Sequence, residues 1–315
     1  MKDSMIKTTL AGLLTLAFVG SVNAQEKINL ILDWFVNPDH ASVIIAQQKG
    51  YFKEQGLEVE IVEPADPSTP PKLVAAGKAD MAVTYQPQLH MQIDEGLPLT
   101  RVSSIVDNPL NSVVVLADSG INDIQDLKGK KVGFSVAGFE DVLLGAMLEH
   151  HGLSLKDVEL VNVNWSLSPS LLTKKTDAVI GAFRNFELNQ MQLENQQGKA
   201  FFVEDHGVPS YDELILVVNN KDRNNEKWKK FNEALSKAVT YINAEPEKAW
   251  TDFVSYKPKE LDNELNRRAW KDTLPYLAKQ PGKLNKQRYE EFAQFMLDKK
   301  LIKNKSDVDD YAIEQ

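Results

Sequence analysis

The stretch INLILDWFVNPDHASVIIAQQKGYFKEQGLEVEIV, residues 28–62, contains the pattern from which the fold can be inferred. Residues 28–34 form a short apolar run typical of a strand, and residues 40–49 have the spacing of a helix. Residues 57–62 alternate as a strand does. This order favours two parallel strands joined by a crossover. Residues 32–40 therefore join the carboxyl end of a strand to the amino end of a helix, where open α/β sheets bind their ligands.

The same order of elements continues along the chain. Residues 70–84 predict a helix that begins at two prolines, then a strand that ends in the loop TYQPQ. Residues 130–163 predict a strand, the turn VAGFED, a helix and another strand, and residues 169–183 predict a short helix and the strand DAVIGAF. LEVEIV resembles VELVNV, and GKADMAVTY resembles KKTDAVIGAF. These similarities indicate two lobes built on one plan.

Two apolar strands, at residues 111–117 and 213–219, flank the predicted second lobe. The chain would leave the first lobe and return to it there, so we interpret them as a pair of hinge strands. The sequence thus predicts an α/β protein of two lobes. Residues 25–116 and 214–315 would form the first lobe with its C-terminal helices, and residues 117–213 the second.

Beyond Asn219 the spacing of apolar residues becomes helical. The first of these helices carries the stripe Trp228, Phe231, Leu235, Ala238 and Ile242. Later helices carry Trp250, Phe253, Trp270, Phe292 and Met296. Stripes of this kind face a protein core, so we assign these side chains to packing and not to ligand contacts.

The composition is that of an exported globular protein. The 315 residues are 43% hydrophobic, enough to build a core. MKDSMIK, the short apolar run TLAGLLTLAFVGSV and the small residues that follow predict a signal peptide at residues 1–24. No later apolar run approaches ~20 residues, so no stable membrane insertion is expected after cleavage. The expected destination is the bacterial periplasm, with secretion beyond it as the alternative.

Charge and residue content exclude several classes of function. A net charge of −9 suits neither DNA nor anionic lipid, so no nucleic-acid partner is expected. The absence of cysteine excludes disulfides, thiolate metal sites and a cysteine nucleophile. GFSVAG departs from the nucleophile elbow because Ala137 stands where its second glycine should be, and no phosphate loop is present. The five histidines show no ligand spacing, so the sequence predicts no cofactor and no metal.

The remaining candidates are loop residues suited to holding a flat, polar heterocycle. Aromatic rings and hydrogen-bonding groups follow the predicted parallel strands, at the edge where a ligand is expected. The predicted ligand-binding residues are Asp33, Trp34, Asn37, His40, Tyr85, Phe139, Phe183, Asn185, Phe186 and Glu187. Asp39 is expected only to cap the helix that follows it.

Several segments resemble a known family. LDWFVNPDHASVIIAQQKGYFKEQGLEVEIVEPADPS at residues 32–68, GKADMAV at 77–83 and DIQDLKGKKVGF at 123–134 are similar to the NMT1/THI5 family. The similarity extends through WTDFVSYKPKELDNEL at 250–265. The resemblance implies a type II periplasmic-binding-protein fold and a ligand related to the pyrimidine half of thiamin. The family contains periplasmic carriers that feed an ABC importer and fungal enzymes that make the pyrimidine.

The resemblance also separates these two classes. In the enzymes the segment after GK-x-DM supplies a lysine that holds pyridoxal phosphate and, four residues later, a histidine that is consumed. Here the matching positions hold Thr84 and Gln88, and threonine cannot form the imine. The enzymes also carry cysteines before the last hinge strand, where GVPSYDELILVV has none, which excludes iron held by thiolates. We therefore predict a carrier and not an enzyme.

The carriers' pattern is matched at particular positions. It places an aromatic residue and an asparagine in the first loop, matched by Trp34 and Asn37, and a carboxylate after a second-lobe strand, matched by Glu187. An aminopyrimidine can donate from its exocyclic amine to Glu187 and stack on Trp34 or Phe186. Glu140 in VAGFED departs from the pattern and disfavours a phosphate on the substituent side of the ligand.

The predicted function is a periplasmic solute-binding protein with an ABC permease as its partner. It would close on a thiamin pyrimidine precursor of the hydroxymethylpyrimidine or formylaminopyrimidine type. One alternative is a binding protein for another small heterocycle or for an anion such as a sulfonate or nitrate. An alternative from a different class is a pyrimidine synthase-like enzyme.

Overall fold

The computed structural model describes residues 25–315 of the chain. The signal peptide predicted for residues 1–24 lies outside the described residues and stays a prediction. The strands are β1 (Glu26–Ile31), β2 (Leu57–Val62), β3 (Met81–Thr84), β4 (Leu99–Val106), β5 (Asn111–Leu116), β6 (Lys131–Phe134), β7 (Glu159–Asn162), β8 (Ala178–Phe183), β9 (Gly198–Phe202) and β10 (Leu214–Asn219).

The α-helices alternate with the strands and then dominate the C-terminal third. They are α1 (Ala41–Gln48), α2 (Tyr51–Glu54), α3 (Pro70–Ala75), α4 (Gln86–Asp94), α5 (Glu140–His150), α6 (Leu167–Leu172), α7 (Glu187–Leu193), α8 (Lys227–Ala244), α9 (Pro246–Val254), α10 (Pro258–Leu261), α11 (Glu264–Thr273), α12 (Lys286–Asp298) and α13 (Val308–Tyr311). Short 3-10 helices occupy Pro38–His40, Ile124–Leu127, Leu155–Asp157, Val203–His206, Asn220–Asp222 and Leu274–Tyr276. Among these helices of residues 25–315, none combines the length and the apolar character needed to cross a bilayer.

The strands form two five-stranded sheets with the same plan. The first has the order β2-β1-β3-β10-β4 and the second the order β7-β6-β8-β5-β9. In each sheet three parallel strands adjoin an antiparallel strand, β10 or β5, which in turn pairs with an edge strand. The predicted α/β architecture of two lobes built on one plan is confirmed.

The chain passes between the sheets twice, at residues 107–110 and at residues 203–213. One detail differs from the sequence prediction, which placed the strand at residues 111–116 in the first lobe. That strand, β5, pairs with β8 and β9 and so belongs to the second sheet. An apolar strand can pair in either sheet, and its own sequence does not indicate which one.

The apolar stripes are core, as predicted. The stripe of α8 is buried, and its Phe231 ring stacks on Phe52 of α2 with 4.7 Å between the centroids. Trp250 and Trp270 pack edge to face, with their centroids 5.7 Å apart. The helices α8 and α9 pack on α1 of the first lobe, and α11 contributes Thr273, just inside its end, to the region between the lobes.

Candidate functional site

A cavity lies between the two lobes, at the carboxyl ends of β1 and β3 in the first sheet and of β8 in the second. This is the edge at which the sequence predicted a ligand. The lining residues are Asp33, Trp34, Asn37, Asp39, His40, Tyr85, Glu140, Leu167, Gly181, Phe183, Phe186, Glu187 and Leu214.

Asp33 organises the first-lobe wall of this cavity. Its side chain is buried just beyond β1, where Oδ1 lies 2.9 Å from His40 Nε2 and Oδ2 accepts from the Tyr85 hydroxyl at 2.8 Å. The Asn37 N–H donates a hydrogen bond to His40 Nδ1 at 3.3 Å. His40 therefore carries its proton on Nε2, and this N–H donates a hydrogen bond to Asp33. Asp33 therefore holds both neighbouring rings in place and has two donors of its own lobe to satisfy it.

We expect Asp33→Asn to lower the melting temperature by several degrees. The amide offers one acceptor to two buried donors, and an unsatisfied buried donor costs about 1–3 kcal/mol. Differential scanning calorimetry measures the shift. Adding Tyr85→Phe removes one of the two donors and should recover part of the loss; an Asp33→Asn protein that melts like the wild type would contradict the network.

The helix cap in the first loop differs from the prediction. Asn37, and not Asp39, is the N-cap of the 3-10 helix Pro38–His40, because its Oδ1 accepts from the Asp39 N–H at 2.8 Å. Its Nδ2 donates to the Phe35 carbonyl at 3.2 Å. Asn37 lines the cavity, but both ends of its amide are engaged in the loop itself.

The side chain of Asp39 does not cap the helix and instead connects the two lobes. It is 2% exposed, and its Oδ1 accepts from Asn185 Nδ2 of the second lobe at 2.6 Å. Thr273 donates to the same oxygen at 3.3 Å, and Asn185 also donates to Thr273 at 2.7 Å. Asn185, predicted to contact the ligand, does not line the cavity, because its amide is turned toward this bridge.

Aromatic side chains also meet across the cleft. Tyr85 of the first lobe and Phe139 of the second stack with 4.1 Å between centroids and 7° between planes. Trp34 and Trp165 lie edge to face at 4.5 Å. Phe139, also a predicted ligand contact, does not line the cavity, because its ring is stacked on Tyr85 and is fully buried. The two lobes are therefore closed against each other.

Four buried carboxyl groups line the cavity, those of Asp33, Asp39, Glu140 and Glu187. Burial raises the pKa of Asp39 to about 6 and the pKa values of Glu140 and Glu187 to about 8. Glu140 Oε2 accepts from the Ser135 N–H at 2.6 Å, and Glu187 Oε2 accepts from the Phe183 N–H at 2.7 Å. Within the described part of the chain, no lysine or arginine lines the cavity. The site is acidic, and its two glutamates are mostly protonated near neutral pH.

The closed cavity has a volume of about 30 Å³, which suffices for one or two water molecules. A six-membered heterocycle needs more room than this. A ligand of that size enters only if the lobes separate or the aromatic side chains turn.

Most of the residues singled out from the sequence come together here. Asp33, Trp34, Asn37, His40, Tyr85, Phe183, Phe186 and Glu187 line the cavity, and their contact with a ligand stays a prediction. The predicted set lacked Asp39, Glu140, Leu167, Gly181 and Leu214. Asp39 and Glu140 stand in the loops already identified and could have been included on that ground. Leu167 and Leu214 are apolar residues with no local sign of a site.

Thr84 and Gln88, which match the lysine and histidine positions of the enzymes, form a separate pair. The Thr84 hydroxyl donates to Gln88 Oε1 at 2.6 Å. Both side chains are buried, and neither is among the cavity-lining residues of the described chain.

Several known proteins are similar in sequence to this chain. The family model described as NMT1/THI5 like matches residues 37–249. A Haemophilus influenzae protein provisionally named for thiamine biosynthesis is 61% identical over 291 residues, 92% of this chain and 93% of that protein. The formylaminopyrimidine-binding protein of Halalkalibacterium halodurans is 36% identical over 196 residues, 62% of this chain and 59% of that protein. A 4-amino-5-hydroxymethyl-2-methylpyrimidine phosphate synthase of Saccharomyces cerevisiae is 33% identical over 272 residues, 81% and 78% of the two chains.

Solved structures share the fold at low sequence identity. The alkanesulfonate-binding protein SsuA of Xanthomonas axonopodis pv. citri has a TM-score of 0.71 and 14% identity, covering 92% of this chain and 98% of that one. The periplasmic nitrate-binding protein NrtA of Synechocystis PCC 6803 has a TM-score of 0.67 and 13% identity, covering 91% and 86%. The fold is that of two-lobed periplasmic binding proteins, and by the extent of the family match and of the similarity to its relatives the chain belongs to the NMT1/THI5-like family.

Proposed function

We propose that this chain is the periplasmic solute-binding component of an ABC importer and that it binds a thiamin pyrimidine precursor of the hydroxymethylpyrimidine or formylaminopyrimidine type. The observation that carries the proposal is the cavity between the lobes, where aromatic rings and hydrogen-bonding carboxyls converge. Two relatives support it, since one is named for binding a formylaminopyrimidine and another for thiamine biosynthesis.

The chemistry of the cavity suits an aminopyrimidine. Glu187 presents a carboxyl group that can accept from an exocyclic amine. The rings of Trp34, Phe183 and Phe186 offer faces or edges against which a flat heterocycle packs, worth ~0.5–1.5 kcal/mol beyond the buried area. Because these groups come from both lobes, a ligand that touches all of them stabilises the closed form.

An anionic ligand such as a sulfonate or nitrate is disfavoured. The sulfonate- and nitrate-binding structures share the fold alone, at 14% and 13% identity. Asp39, Glu140 and Glu187 face the cavity without a lysine or arginine among the lining residues of the described chain. Burying an anion beside these carboxyls would cost free energy by desolvation and by repulsion.

The synthase relative of Saccharomyces cerevisiae makes an enzyme the alternative from another class. A pyridoxal phosphate enzyme needs a lysine amine to form the imine. Here the position that matches this lysine holds Thr84, whose hydroxyl is hydrogen-bonded to Gln88 at the position that matches the histidine. After reconstitution with pyridoxal phosphate, the protein should show no protein-bound absorbance band. A band that survives dialysis would support the enzyme.

We expect ligand binding to raise the melting temperature by several degrees. At a ligand concentration 100 times the dissociation constant, linkage contributes ~2.7 kcal/mol to the free energy of unfolding. A thermal-shift panel should contain hydroxymethylpyrimidine, formylaminopyrimidine, an alkyl sulfonate and nitrate. Stabilisation by the sulfonate or nitrate without any response to the pyrimidines would contradict the proposal.

A further inference from the structure

The carboxyl group of Glu140 lies in a pocket formed by backbone groups of the second lobe. Glu140 is the first residue of α5, is 3% exposed, and accepts from the Ser135 N–H through Oε2. Its carboxyl lies over Gly181, where a Cβ would stand 2.3 Å from the Glu140 carboxyl carbon. Gly181 also has φ +96°, which favours glycine. The absence of a side chain at position 181 therefore makes room for this carboxyl in the cavity wall.

Two carboxyl groups of the cavity have no side-chain donor. Asp33 has two donors from its own lobe, and Asp39 has Asn185 and Thr273. Glu140 accepts the Ser135 N–H and Glu187 accepts the Phe183 N–H, and within residues 25–315 no side chain donates to either carboxyl group. Both side chains are more than nine-tenths buried and line the cavity. These two carboxyl groups are therefore available to donors on a ligand.

The ring amine of an aminopyrimidine can donate to one of these two carboxyl groups. The other then needs a second donor, which must come from the ring's substituent. A hydroxyl or a formamide N–H is a neutral donor, whereas an ammonium group also supplies a positive charge, which no lysine or arginine of residues 25–315 brings to the cavity wall. A hydrogen bond between two charged groups is stronger than a neutral one, and it offsets the cost of burying a carboxylate.

We propose that the ligand is a cationic aminopyrimidine, whose ring amine donates to Glu187 and whose aminomethyl substituent, as an ammonium group, donates to Glu140. This inference rests on the proposed function, because it selects one member of that ligand class. Glu140 is then the residue that determines specificity for the substituent, and Gly181 is the position that admits it.

Titration calorimetry at pH 7 tests the proposal with three ligands that differ only in the substituent at one ring position. They are 4-amino-5-aminomethyl-2-methylpyrimidine, its hydroxymethyl analogue and its formylaminomethyl analogue. The wild-type protein should bind the aminomethyl compound at least about tenfold more tightly than either neutral compound. Glu140→Gln should lose about tenfold for the aminomethyl compound and change little for the hydroxymethyl compound. Glu194→Gln, an exposed carboxyl outside the cavity, is the matched control.

The outcomes distinguish this inference from the function on which it rests. Tighter binding of a neutral compound by the wild type, or an unchanged preference in Glu140→Gln, overturns the inference and leaves the proposed function standing. Failure of all three compounds to bind a wild-type protein that melts normally overturns both. If Glu140→Gln does not fold, the ranking of the three ligands on the wild type decides the matter.

Discussion

Glu187→Gln is expected to weaken aminopyrimidine binding by about ten- to a hundredfold, which corresponds to ~1.5–3 kcal/mol for a hydrogen bond to a charged group. In the structure, Glu187 Oε2 accepts from the Phe183 N–H at 2.7 Å. A glutamine keeps that bond only by turning its carbonyl oxygen toward Phe183. Its amide nitrogen, a donor, then faces the cavity, where the ligand amine would meet a donor instead of an acceptor.

Titration calorimetry on the variant measures this loss, and melting curves show whether folding is affected. Burial raises the pKa of Glu187 to about 8, so near pH 7 the empty site holds mostly the neutral acid, which glutamine resembles in size and charge. The melting temperature should therefore hardly change. Donation from the ligand amine favours the ionised form, which only the glutamate can supply. Glu194→Gln, at the exposed C-cap of the same helix, should bind like the wild type. Normal affinity with a lower melting temperature would mean that Glu187 only begins α7, and would rule out the contact.

The features of the fold that follow from local pattern could be predicted from the sequence. Residues 28–62 alternate as strand, helix and strand, and the structure contains β1, α1 and β2 there. Parallel strands with crossover helices place their carboxyl ends on one edge, so the loops after β1, β3 and β8 could be expected to meet. Glu187 was identified because it stands shortly after a strand and matches the carboxylate of the carriers' pattern, and it lines the cavity.

The features that depend on closure of the lobes could not be predicted. Asn37 and Asp39 can both cap a helix, and only the backbone shows that Asn37 does so, with φ −148° and ψ 177°. The partner of Asp39, Asn185, is 146 residues away. Trp165, which meets Trp34, carries no local signal of a site because its role depends on the approach of the other lobe. Sequence patterns predict which side chains lie near the carboxyl edge of a sheet. They do not predict which of these side chains contact each other across the cleft between the lobes.

The largest effect that we expect is a dependence of empty-cleft closure on pH. Burial in the closed form raises the pKa of Glu140 and of Glu187 from 4.5 to about 8, and that of Asp39 from 3.8 to about 6. Opening would hydrate these groups and let their pKa values fall toward the ordinary ones. The closed form thus binds protons more tightly than the open form. Closure should be favoured in acid and be lost as pH rises from about 4.5 to about 8.

Each carboxyl that ionises only on opening changes the ratio of closed to open molecules by up to about tenfold per pH unit. Small-angle scattering of the empty protein should therefore show a larger radius of gyration at pH 8 than at pH 5. Tryptophan fluorescence should change in parallel, because Trp34 and Trp165 lie 4.5 Å apart across the cleft and separate on opening. Glu140→Gln combined with Glu187→Gln removes two of the titrating groups and should flatten both curves. An undiminished pH response in that double variant, or no response in the wild type, would show that the cavity carboxyls do not control closure.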